Sequence, residues 1–188
     1  MEENFLKNSV KLFTYYKSLG DKSFAQLEED KLFWQYNPES NSIAIIVNHL
    51  WGNMMSRWTD FLHADGEKSW RKRDMEFEDI IKSKAELLAK WEEGWACLFA
   101  ALESVNADNF GQKIYIRNQA HTILEAIDRQ LAHYASHIGQ IVYIGRMIRG
   151  SEWKSLSIPK GKSQEFNQKK FVQKDESGHF TDDFVEAK

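Results

Sequence analysis

The 188 residues suit one domain with a buried core. Hydrophobic residues make up 42%, charged residues 28%, and the net charge is -3, which excludes the concentrated basic surface of a nucleic-acid binder. No long uncharged apolar run offers a membrane span, the start MEENFLKNSVKLF lacks the basic, apolar pattern of a signal peptide, and one cysteine, Cys97, allows no intrachain disulfide; the expectation is a cytoplasmic protein.

Apolar residues recur mostly at helical spacing, and proline occurs only at Pro38 and Pro159. The pattern predicts an all-α domain over 1–150 with four long helices. The first covers about Asn4 to Leu19 and stops at Gly20, a residue type that ends helices. A short extra helix is expected over Ser23 to Lys31. NPESNS supplies a turn and a cap for the second long helix, about Ile43 to Leu62. The third is expected to start after Asp74, with Glu76, Glu78 and Asp79 complementing its dipole, and to run to about Val105. Cys97 falls among core residues of that helix and reads as packing, not as a nucleophile. QKIYI, in the connection from Asn106 to Asn118, reads as briefly extended. The fourth helix is expected from about Gln119 to Arg149, with Gly150 at its end. Residues 151–188 read as an irregular polar tail partly packed on the helices. Seven Trp and twelve Phe suit a packed core or a subunit interface.

The chemistry-bearing residues are histidines. His133 and His137 stand four apart on the shoulder of the apolar stripe of the last helix, roughly 40° apart around its axis and about 6 Å apart along it. Two imidazoles so placed can point at one ion, or can simply be solvated. An HEXXH motif is absent because Tyr134 stands where its glutamate would be, which excludes a thermolysin-like mechanism. On the second helix His49, Asn53 and Arg57 follow at four-residue steps. That polar ridge either faces water or lines a pocket facing the fourth helix. His63, His121 and His179 fit no shared site and are expected at the surface.

NHLWGNMMSRWTDFL together with LAHYASHIGQIVYIGRM resembles the DinB/YfiT-like superfamily of bacterial four-helix bundles, over roughly Asn4 to Arg149. SIPKGKSQEFN in the tail is similar to that of a little-characterised branch. The resemblance implies a four-helix bundle whose metal ligands are His49, His133 and His137, holding zinc or nickel with open coordination positions, and a homodimer. It implies a transferase that joins a small-molecule thiol to an electrophilic substrate. The alternatives are a metal-dependent hydrolase and a non-catalytic metal-binding or interaction bundle. Asn53, Arg57 and Gln140, one or two turns from those ligands, are the candidates for orienting them or touching substrate. No general base can be named.

Overall fold

The structure, a computed structural model, describes residues 2–172 and 178–185. Among these the chain is mostly helical, with one two-stranded sheet. Helix α1 spans Glu2–Phe24, α2 Ile43–Trp58, α3 Lys84–Glu103 and α4 Ile123–Arg149. No helix among the described residues is long and apolar enough to cross a membrane.

The local chemistry explains where the boundaries differ from expectation. Helix α1 runs through Gly20 and ends at Phe24, so Gly20 does not stop it. Gly20 serves packing instead: a Cβ there would lie 2.4 Å from the ring of Trp91. That ring cannot yield easily, because it is buried and its indole N–H donates to Asp21 at 2.6 Å. The short extra helix is a 3-10 turn, Glu29–Phe33. Ser42 caps α2 by accepting the Ile45 N–H at 3.2 Å. The helix stops at Trp58, before Leu62, because Asp60 takes a left-handed φ of 49° and its carbonyl accepts from His63 and Ala64. Helix α3 begins nine residues later than expected, after the Ser83 cap, which accepts from Glu86. Of the acids read as its first turn, Glu76 lies in a separate 3-10 segment, Arg73–Phe77, packed on α2, and Glu78 and Asp79 follow that segment.

The extended stretch is a hairpin of β1, Lys113–Ile116, and β2, Gln119–Thr122. Residues 119–122 are therefore strand, and α4 starts after them at a Thr122–Glu125 capping box. The hairpin turns at Arg117 and Asn118, φ 55° and 60°, both of whose N–H groups donate to Asp65, at 2.8 and 2.6 Å. Gly150 ends α4 at φ 54°, as expected. The tail, expected to be irregular, contains helices α5, Ser163–Val172, and α6, Asp182–Val185; its residues 173–177 and 186–188 lie outside those described. His179, like His121, is half-exposed, and it bonds to Asn8 on α1 and to Thr181.

Helix α1 packs on α4 and α3, and α2 packs on α3 and α4. At their common centre Phe13, Trp95 and Tyr134 meet in pairs, with centroids 5.9 to 6.3 Å apart, and Trp91 and Phe24 extend the cluster. Part of the aromatic load thus fills the core. Gly20→Ala is expected to destabilise the protein by about 2 kcal/mol through overpacking against Trp91. In a Trp91→Phe background the same change should cost less, and urea titration of the four proteins in the cycle checks it. Equal losses in both backgrounds would mean that Gly20 acts elsewhere.

Candidate metal centre

Fourteen of the sixteen residues of α2 are buried, so its polar ridge has no water face. His49, Asn53 and Arg57 are 4%, 5% and 7% exposed, and the ridge lines a pocket against α4. Burial on that scale requires partners. Asn53 accepts a hydrogen bond from the Tyr134 hydroxyl at 3.0 Å, and that hydroxyl accepts the Trp58 indole N–H at 3.0 Å. Arg57 donates to the Gly66 carbonyl and to Glu67, the latter at 3.1 Å.

His49 meets the pair on α4. Its Nε2 lies 3.2 Å from Nε2 of His133, which lies 3.1 Å from Nε2 of His137. The three residues offer ligand atoms that all fall within 4.8 Å of one another, close enough to hold a metal ion. The other ring nitrogens point outward to acceptors. Nδ1 of His49 faces Glu76 Oε2 at 2.9 Å, that of His133 faces Gln130 Oε1 at 3.4 Å, and that of His137 faces Gln140 Oε1 at 2.9 Å. An acceptor oxygen requires the proton on Nδ1, which leaves the Nε2 lone pairs facing one another.

Glu76 was not legible as a site residue. It belongs to the 3-10 segment, 6% exposed, where it also binds Arg71 at 2.7 and 2.9 Å. Asn48 pins that segment by donating to the Glu76 carbonyl at 3.0 Å, so adjacent residues of NHL hold both ends of Glu76. Gly52 makes room: a Cβ there would come within 2.5 Å of the carboxylate. The one sequence signal was Phe77, an aromatic residue next to Glu76 in a charged stretch. Phe77 stacks on His49 with centroids 4.6 Å apart. Gln130 was also missed, although it stands three residues before His133 on the same helix.

The histidines share a cavity of about 400 Å3 with Asn53, Arg57, Phe77 and Gln130. Gln140 does not line it, and its amide oxygen is used by His137. His63 is exposed and His121 half-exposed. A larger cavity, about 670 Å3, lies between α1 and the tail, beside Lys22, Leu156 and Phe166, and holds no such cluster among the described residues. Cys97 is half-buried beside Thr59, and burial pushes its thiol up, away from the reactive range.

A helical protein with three imidazoles gathered between two helices is the class that fold and site define. The chain belongs to the family described as "Protein of unknown function (DUF1572)", whose model matches residues 1–162 and ends just before α5. No curated protein and no solved structure matches the chain.

Burial, then the neighbouring His137 and His49 and the Arg57 and Arg71 guanidiniums, lower the His133 pKa to about 3. Burial lowers His137 too, against its bond to Gln140. Burial alone would raise Glu76, but its bonds to His49 and Arg71 hold it below the ordinary carboxylate value. In metal-free protein the unfolded chain takes up a proton at His133 as pH falls through 6.5, whereas the folded chain resists until about 3. Stability is therefore expected to be full above pH 6.5 and to fall steadily below it, with Glu76 adding to the loss at lower pH. Urea midpoints of the metal-free protein across that range check this; a flat or rising midpoint would contradict it.

Proposed function

We propose that the chain is a metal-dependent enzyme of the DinB/YfiT-like kind, a cytoplasmic homodimer in which α1–α4 form a four-helix bundle. His49, His133 and His137 would hold zinc or nickel, and the reaction transfers a small-molecule thiol to an electrophilic substrate. The observation that carries this reading is the inward convergence of three Nε2 atoms whose Nδ1 partners are all acceptors. Lone pairs 3.1 and 3.2 Å apart repel unless a cation sits among them. Nitrogen ligands at about 2.0–2.1 Å from a tetrahedral zinc stand roughly 3.3 Å apart, close to these separations.

When bound, such an ion with a free position shifts a thiol toward thiolate at neutral pH. The chain's own residues set the conditions. Glu76 orients His49 and increases its basicity as a ligand, while Gln130 and Gln140 hold the two imidazoles of α4. Phe77 covers the His49 ring and limits water on that side. In the transfer the S–H proton goes to solvent, the sulfur lone pair forms the new S–C bond, and the electron pair of the broken bond leaves with the departing group, which takes up a proton from solvent, so no oxidant is required. No protein nucleophile takes part: Cys97 lines no part of the cavity, and the Tyr134 hydroxyl is buried with both its bonds made.

Elemental analysis of untagged protein is expected to show near-stoichiometric zinc or nickel, absent from a folded His133→Ala/His137→Ala variant. Glu76→Gln should keep the fold and weaken metal binding by about 10–100-fold. Protein that stays metal-free after incubation with both ions would overturn the reading. With metal present, turnover of an electrophile in water alone, indifferent to added thiol, would replace transfer with hydrolysis.

A further inference from the structure

Five arginines line the cavity that the histidines share: Arg57, Arg71, Arg73, Arg117 and Arg129. No carboxylate among the described residues lines it; the acids stand behind the arginines. One oxygen of Glu67 takes Arg57 at 3.1 Å, Arg71 at 3.3 Å and Arg117 at 3.2 Å. Glu76 is taken by Arg71 and His49. Asp65 accepts backbone N–H groups of Glu67, Arg117 and Asn118. Even with Asp65 counted, three carboxylates face five guanidiniums, before any metal adds its charge.

Two of the five have no structural ion pair. Among the described residues neither Arg73 nor Arg129 pairs with a carboxylate, yet both are held in place. Arg73 lies over the Phe77 ring, 5.3 Å from its centroid, and Phe77 stacks on His49. Arg129 donates to Nε2 of His121 at 3.0 Å, and His121 keeps that nitrogen bare because its Nδ1 donates to the Ala120 carbonyl at 2.8 Å. A third polar group, the buried Nε of Arg57, has no partner among the described residues. Positioned guanidiniums without acids of their own, around a small cavity, are the recognition chemistry of a carboxylate or phosphate.

We infer that the cavity takes an anionic small molecule, its carboxylate or phosphate group held by Arg73 and Arg129 and its reactive end directed at the three-histidine centre. This rests on the metal-dependent reading for what happens at the histidines, but the anion site belongs to the arginines alone. Because both arginines are exposed, replacing them should leave the fold intact, as circular dichroism would confirm.

The test is calorimetric titration of the zinc-incubated full chain with succinate, with inorganic phosphate and with neutral succinamide, with zinc measured on the same samples. Succinate or phosphate is expected to bind and succinamide not, and the tighter anion identifies the group carried by the substrate. Arg73→Gln/Arg129→Gln should retain zinc and lose about tenfold or more in affinity for the anion, the scale of two charge-assisted contacts. Anion binding equal in wild type and this variant would overturn the inference, as would equal binding of succinamide or no anion binding at millimolar concentration. Arginine-dependent anion binding by protein that takes up no zinc would instead overturn the metal-dependent reading and leave this inference standing.

Discussion

The buried carboxylate of Glu76 is the constraint on which the site depends. It comes from a connection, not from a long helix, and joins Arg71 to His49 across the surface of α2. A carboxylate at 6% exposure needs charged partners, and here it has a guanidinium on one side and an imidazole on the other. The bond to His49 decides the tautomer of that ring and therefore what its Nε2 presents to α4. Asn48 and Gly52 make the arrangement possible, one by holding the segment's backbone and the other by leaving space for the carboxylate. Helix α2 thus supplies one of the three converging imidazoles, the anchor for its orienting group and the gap that group occupies.

The same logic runs along the rest of the ridge. A helix buried on nearly every side would ordinarily be apolar throughout, because each hidden polar group costs on the order of 1–3 kcal/mol if left unpaired. Asn53 avoids that cost through Tyr134, His49 through Glu76 at its Nδ1, and Arg57 through Glu67 and the Gly66 carbonyl at its outer nitrogen, though its Nε has no partner among the described residues. One of these partners, Tyr134, stands on α4, so its bond to Asn53 favours one rotation of the two helices where apolar contacts alone would tolerate several.

Much of the helical plan was legible, because apolar spacing reports which stripe of a helix is hidden. The boundaries were less so, since Gly20, Asp74 and Gln119 carry signals whose meaning depends on distant residues. Gly20 resembles a helix stop until Trp91 is seen against it, and acids after Asp74 resemble a first turn until Glu76 is seen under α2. The histidine trio was carried by a family resemblance and by the spacing of His133 and His137. Whether the ridge on α2 faced water was undecidable from periodicity, because periodicity cannot say what covers a face. Glu76, Arg71, Arg73 and Arg117 come from connections and the hairpin, whose placement is set by long-range contacts such as Asp65 with the turn at Arg117. Residues of that kind leave little local pattern to read.

The arginines show how such a site can be positive without falling apart. Arg57 and Arg71 are buried and share Glu67, and Arg71 also engages Glu76, so the innermost positive charges are compensated by structure. The compensation weakens outward: Arg117 shares the already crowded Glu67, while Arg73 and Arg129 are steadied only by an aromatic ring and a neutral imidazole. Near solvent an unpaired guanidinium costs little, because water solvates it, whereas the same group deep inside would need an acid. The chain therefore keeps its paired cations where the fold needs them and its unpaired ones where an incoming anion can displace water. A site graded in this way attracts negative charge toward the histidines while leaving the helix core electrically quiet.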